Sequence, residues 1–122
     1  PLQLRQLCGD DFCLLSGDDA TSFAYLAQGG DGCISVTANI APRLCAEMQD
    51  AWMSGDVKKA QTINRKLQPL REAAFCQPSP APVKYGAELL GFGSRGTRGP
   101  IAVATESTQQ KVRTQLESLE LL

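Results

Sequence analysis

An α/β fold with parallel strands is what this sequence predicts, and three observations predict it. Two short, largely apolar runs, at residues 12–15 and 33–36, are separated by an acidic turn and a two-turn helical stretch, the order of a strand–helix–strand unit. Neither run shows the alternation of a half-exposed strand, so both are expected to be covered on two faces. From residue 42 onward the apolar residues recur three and four apart, the period of amphipathic helices.

Each element has a local reason. Leu2, Leu4 and Leu7 give a helix over residues 2–8, and Gly9, lacking a Cβ, suits its C-terminal cap. The first strand lies between Asp10-Asp11 and Gly17-Asp18. Asp18 and Asp19 stand where a carboxylate accepts the first amides of a helix over residues 21–27, and Gly29-Gly30 stops that helix. After the second strand, Pro42 opens a helix whose apolar face is Leu44, Cys45, Met48, Ala51 and Trp52. Gly55 ends it, and Asp56 caps a longer helix over 57–75 with Ala60, Ile63, Leu67, Leu70 and Ala74 on one side and a kink expected near Pro69. Prolines at 78, 80 and 82 make a rigid connector into a helix over 83–90. Residues 91–100 carry four glycines and read as a mobile loop. A last helix over 105–119 presents Val112, Leu116 and Leu119 on one side.

Size and composition narrow the function classes. With 122 residues the chain is long enough for one ordinary core, and 43% hydrophobic with 20% charged residues is a normal globular balance. A net charge of -1 with no basic stripe argues against a nucleic-acid partner. No apolar run reaches the roughly 20 residues that span a bilayer, so no membrane partner is expected. Five cysteines form no CxxC pair, and with no histidine a zinc site has too few plausible ligands. Cys13 and Cys33, in the two strands, are expected to be buried thiols, which fits a reducing, cytoplasmic setting. No cofactor is implied.

The chain begins at Pro1, inside an apparent helix, and its two parallel strands leave unpaired edges. Both facts raise the expectation that it is the later part of a longer protein.

Several motifs invite chemistry, and each has a plainer reading. Residues 91–96 match GxGxxG, but a dinucleotide site needs a strand before and a helix after, so a flexible loop is preferred. Asp18 and Asp19 fit a carboxylate pair for acid–base chemistry or for a metal, or a helix cap, and capping is favoured, although the end of a strand in a β/α barrel is also where working residues gather. Thr37 and Asn39, at the end of the second strand, fit a ligand contact or a tie for the next turn; the tie is preferred. Lys58, Lys59, Lys66, Lys84 and Lys111 all lie on expected helices, where solvated charge is a better reading than a Schiff base. Arg95 and Arg98, on the glycine-rich loop, read as solvated rather than as a phosphate grip.

SGDDA (residues 16–20), ISVTAN (34–39), PAPVK (80–84) and the terminal LL resemble the dihydrodipicolinate synthase family, in its order and spacing, over nearly the whole chain. The resemblance implies the C-terminal part of a (β/α)8 TIM barrel, strands seven and eight with their helices, followed by a three-helix extension. Residues 1–56 would end the barrel and 57–122 form the extension. It implies a lyase that condenses pyruvate with L-aspartate 4-semialdehyde through a lysine Schiff base, opening the diaminopimelate route to lysine, in a homo-oligomer that is commonly a tetramer. The Schiff-base lysine would precede Pro1, so no catalytic residue falls here and the chain alone would be inactive. Ile34 matches the position whose backbone carbonyl lies against pyruvate. Gly17 and Asp18 match the wall behind the pocket, and Lys84 a structural lysine. IAVAT at 101–105 departs from the family, which usually has a proline before that threonine. Two alternatives stay open: a sister aldolase acting on sugar-derived keto acids, and a non-catalytic helical interaction module over residues 41–122.

Overall fold

The computed structural model describes all 122 residues, Pro1–Leu122. Their packing divides the chain into two units, Pro1–Val36 and Thr37–Leu122. This division by compactness lies upstream of the expected topological boundary at residue 56.

The first unit is α1 (Leu2–Cys8), β1 (Leu15–Ser16), α2 (Ser22–Ala27) and β2 (Gly32–Cys33). The strands are parallel, with Leu15 opposite Gly32 and Ser16 opposite Cys33. Flanking bonds extend the pairing: the Asp31 amide donates to the Leu14 carbonyl at 2.8 Å and the Ile34 amide to the Ser16 carbonyl at 2.8 Å. Both strands are shorter than their apolar runs, because side chains take up the neighbouring main-chain groups. Arg5 donates to the Phe12 carbonyl, and an Asp31 carboxylate oxygen accepts the Leu14 amide.

The expectation of two covered faces is corrected in this unit. Leu14 is buried, but Phe12, Leu15 and Ile34 are exposed. Cys13 is likewise exposed and Cys33 half-buried, so neither is the enclosed thiol the sequence led us to expect. A two-stranded sheet with two short helices has too little surface to cover both sides of each strand.

Hydrogen bonds to charged groups supply much of the order here. The Arg5 guanidinium reaches the carbonyls of Gly9, Asp10 and Phe12 through one nitrogen, and the Gly29 carbonyl and Asp31 carboxylate through the other. The Asp31 ion pair measures 2.9 Å. A fixed fork of donors suits this convergence, which a lysine cannot reproduce. Gly9, at φ 83°, turns the chain out of α1 so that its carbonyl meets Arg5. The hydrogen bond from the Leu14 amide, then that from Arg5, holds the Asp31 carboxyl below its ordinary range.

The second unit begins with a 3-10 turn (Thr37–Asn39) and continues through α3 (Pro42–Met53), α4 (Val57–Phe75), α5 (Ala81–Leu89) and α6 (Glu106–Ser118). The helix pattern holds closely. Asp56 accepts the Lys59 amide at 3.0 Å, and Thr105 accepts the Thr108 amide at 3.4 Å, each capping its helix. Ala60, Ile63, Leu67, Leu70 and Ala74 of α4 are all buried, as are Leu44, Met48 and Ala51 of α3 and Val112 and Leu116 of α6. Pro69 sits inside α4, which continues through it. Arg71 of α4 is buried as well, donating to Asn64 Oδ1 at 2.7 Å and approaching Met48 Sδ at 3.5 Å. At Gly86 of α5 a Cβ would stand 3.1 Å from Ile40 Cγ2 and 3.3 Å from Val112 Cγ1, so the missing side chain permits this close packing.

The glycine-rich segment at 91–100 has no regular structure, but it is stitched down rather than loose. Arg95 pairs with Glu88 at 3.0 Å and lies over the Tyr85 ring, 5.7 Å from its centre. The Arg95 amide donates to Glu88 Oε2, Lys84 Nζ to the Gly96 carbonyl, and Thr97 Oγ1 to the Ile101 carbonyl. The expected solvated role of Arg95 is replaced by a loop anchor, and Lys84 serves the same loop.

Leu67 is fully enclosed in the helical unit. Leu67→Ala is expected to cost about 2–5 kcal/mol, read from the denaturant midpoint at unchanged slope. The lowered carboxyl of Asp31 makes a second prediction. Its folded value lies below its unfolded one, so the stabilisation is complete above the unfolded value and is lost as pH falls through the folded value. Carboxyl-carbon resonances should place the Asp31 midpoint below the ordinary aspartate range, with the Leu14 amide following the same titration; a midpoint within that range refutes the clamp.

Candidate functional site

The chemistry of the first unit gathers where β1 and β2 end. Ser16 closes β1 and is buried; its hydroxyl donates to the Asp18 carbonyl at 3.1 Å and accepts the Asp18 amide at 3.2 Å. That reciprocal pair folds the chain sharply after the strand. Apart from its chain neighbours, no heavy atom lies within 4 Å of the place a Cβ would occupy at Gly17.

The two adjacent aspartates do different work. Asp18 is exposed, and its Oδ2 accepts the Thr21 amide at 2.9 Å and the Thr21 hydroxyl at 2.5 Å, shaping the turn into α2. The expected capping role is corrected: the N-cap of α2 is Thr21, which has no side-chain cap hydrogen bond, and Asp18 braces the turn that precedes it. Asp19 is only 3% exposed and points the other way. Its Oδ1 accepts the Ser35 hydroxyl, and its Oδ2 accepts the Val36 amide at 2.8 Å. Two carboxylates with separate hydrogen-bonding duties do not form an acid–base pair sharing one proton.

Ile34 lies between these anchors. Its amide is fixed to the Ser16 carbonyl, while its side chain is 71% exposed. The structure brings Gly17, Asp18 and Ile34 to the same ends of the two strands. Thr37 and Asn39 fall in the 3-10 turn of the other unit, where the Thr37 carbonyl accepts the amides of Ile40 and Ala41.

Sequence reasoning missed three participants. Asp19 was read as a cap, although Ser35, a polar residue between Ile34 and Val36, was a signal that something at this strand end needed a partner. Arg5 and Asp31, 26 residues apart, form their pair at the other end of the strands, and no motif marks it.

Elsewhere, a concavity of about 310 Å³ between α4 and α6 is lined by Pro69, Glu72, Ala73, Cys76, Lys111 and Gln115. No helix is long and apolar enough to cross a membrane.

The chain resembles known proteins over nearly its whole length. Residues 1–119 match the model of the dihydrodipicolinate synthetase family. A curated 4-hydroxy-tetrahydrodipicolinate synthase from Acidiphilium cryptum is 55% identical over 122 residues, covering 100% of this chain and 42% of that protein. The crystal structure of dihydrodipicolinate synthase from Thermotoga maritima superposes with a TM-score of 0.94 at 38% identity, covering 98% of this chain and 41% of that one. The enzyme from Acinetobacter baumannii, solved in complex with pyruvate, gives 0.89 at 32% identity, with 98% and 41% covered. The chain therefore spans about two fifths of the length of the relatives it matches.

Proposed function

The chain belongs to the dihydrodipicolinate synthetase family, and from that premise we propose that it forms part of a lyase condensing pyruvate with L-aspartate 4-semialdehyde through a lysine Schiff base. The observation that carries this reading is the family match over residues 1–119, which takes in both strand-end motifs. In this reading β1 and β2 are the seventh and eighth strands of a (β/α)8 barrel, residues 1–56 complete the barrel, and 57–122 form its C-terminal helical extension. The exposed apolar side chains of Phe12, Leu15 and Ile34 support it, since neighbouring strands and helices of a barrel would cover them.

The chemistry follows from imine formation. A lysine amine adds to the keto carbon of pyruvate and water leaves. The cationic imine then acidifies the methyl group, and loss of a proton from it gives an enamine. The enamine carbon forms a bond to the aldehyde carbon of the semialdehyde, whose oxygen takes up a proton. Working groups of a barrel sit at the C-terminal ends of its strands, where Gly17, Asp18 and Ile34 lie.

Within that scheme the Ile34 backbone carbonyl lies against the bound pyruvate. Gly17 leaves room beside it, and Asp18 shapes the turn behind. The amine comes from outside these residues. Lys58, Lys59 and Lys66 are on α4, Lys84 on α5 and Lys111 on α6, and none ends a strand. A homo-oligomer working in the cytoplasm is part of the same proposal.

Treated with pyruvate and borohydride, the 122-residue chain is expected to take up no stoichiometric label. Joined at Pro1 to the preceding part of the Acidiphilium cryptum relative, it should trap one pyruvate and prefer aspartate semialdehyde over sugar-derived aldehydes. Labelling of a lysine within residues 1–122 refutes the proposal, and a preference for sugar-derived aldehydes moves it to a sister aldolase.

A further inference from the structure

We propose that Asp19 is a positioning residue that sets the direction of the Ile34 carbonyl; the inference rests on the pyruvate-binding role just proposed for that carbonyl. A peptide unit is planar, so a carbonyl can be re-aimed only by rotation about the soft dihedrals on either side of its plane. The Ile34 carbonyl belongs to the plane joining Ile34 to Ser35. The preceding plane is fixed by the bond from the Ile34 amide to the Ser16 carbonyl, at 2.8 Å. The following plane is fixed by the bond from the Val36 amide to Asp19 Oδ2, at 2.8 Å, and the Ser35 side chain by its bond to Asp19 Oδ1. The carbonyl is thereby bracketed, on one side by the strand ladder and on the other by one carboxylate.

Regular pairing cannot do the second half of this job. β2 ends at Cys33, and past Ile34 the chain leaves the ladder. A side chain must take over at that point, and Asp19 is built for it. It is 3% exposed, it follows the sharp Ser16–Asp18 turn at the end of β1, and both its oxygens face residues 35 and 36. A buried carboxylate accepting two hydrogen bonds is a stiff support, because breaking either bond at a group shielded from water costs more than it would at the surface. Misplacement of a reacting or orienting group by about 1 Å costs on the order of a hundredfold in rate. Asp19 touches no reacting atom in this account; it acts through the main chain of residues 34–36.

The test uses the full chain joined to the preceding part of its Acidiphilium cryptum relative, at a temperature where circular dichroism shows every variant folded. The readout is the rate of borohydride-trapped imine at saturating pyruvate. Asp19→Ala removes both bonds and should slow trapping at least about tenfold. Asp19→Asn should restore it to within about threefold, because its amide oxygen can take the Val36 amide while its nitrogen donates to the Ser35 hydroxyl. Trapping by Asp19→Ala at the unmutated rate overturns the inference, and so does an Asp19→Asn variant as slow as Asp19→Ala, which would make charge rather than geometry the active property. If Asp19→Ala does not fold, Ser35→Ala decides, with about a threefold loss expected and an unchanged rate refuting. An unmutated chimera that traps no pyruvate overturns the proposed function and this inference with it, an outcome distinct from the others because it appears before any substitution is made.

Discussion

The first 36 residues depend on one constraint: a parallel pair of two-residue strands satisfies very few of its own main-chain groups. Amides and carbonyls just beyond the ladder need partners, and an amide left unpaired costs more than a formed bond returns. Aspartates supply the acceptors. Asp31 takes the Leu14 amide where the strands begin, Asp19 takes the Val36 amide where they end, and Asp18 takes the Thr21 amide at the turn into α2. Arg5 does the complementary work for carbonyls. A sheet this small holds its shape through acidic and basic side chains placed at both ends of its strands.

The second unit is stabilised differently. Its helices bury leucine, isoleucine, valine and alanine along continuous faces, and its polar groups act mostly at helix ends. Arg71 is the exception, a guanidinium inside the packing that donates to an amide oxygen and approaches a thioether. The contrast fits the proposed roles, with the strand unit presenting the pocket wall and the helical unit acting as scaffold.

Legibility followed the range of the interactions. α4 was readable from Asp56 to Phe75 because its cap lies within three residues of its start and its buried face repeats at a helical period. The strand–helix–strand order and its parallel sense were readable for the same local reason. Strand lengths were not, since Arg5 takes the Phe12 carbonyl and Asp31, 17 positions away, takes the Leu14 amide, groups that a longer ladder would otherwise use. Burial of the strands was over-read: an apolar run records what a strand is suited to, whereas coverage depends on which neighbours are present. The segment at 91–100 was misjudged because glycine content speaks of backbone freedom, while the Arg95, Glu88 and Lys84 contacts that remove that freedom are tertiary. At the site, Gly17, Asp18 and Ile34 came from family resemblance, and Asp19 became visible only once residues 35 and 36 were seen against it.

Gly86 carries an implication for how the helical unit can change. Hydrogen is the largest group that the gap between the Ile40 side chain and Val112 accepts without something giving way. Volume at these three sites is therefore a shared quantity. A methyl group gained on α5 has to be met by a small shift or a loss of volume at position 40 or position 112, so drift at any one of them is steered by the other two, and substitutions that are each harmful singly can be harmless as a set.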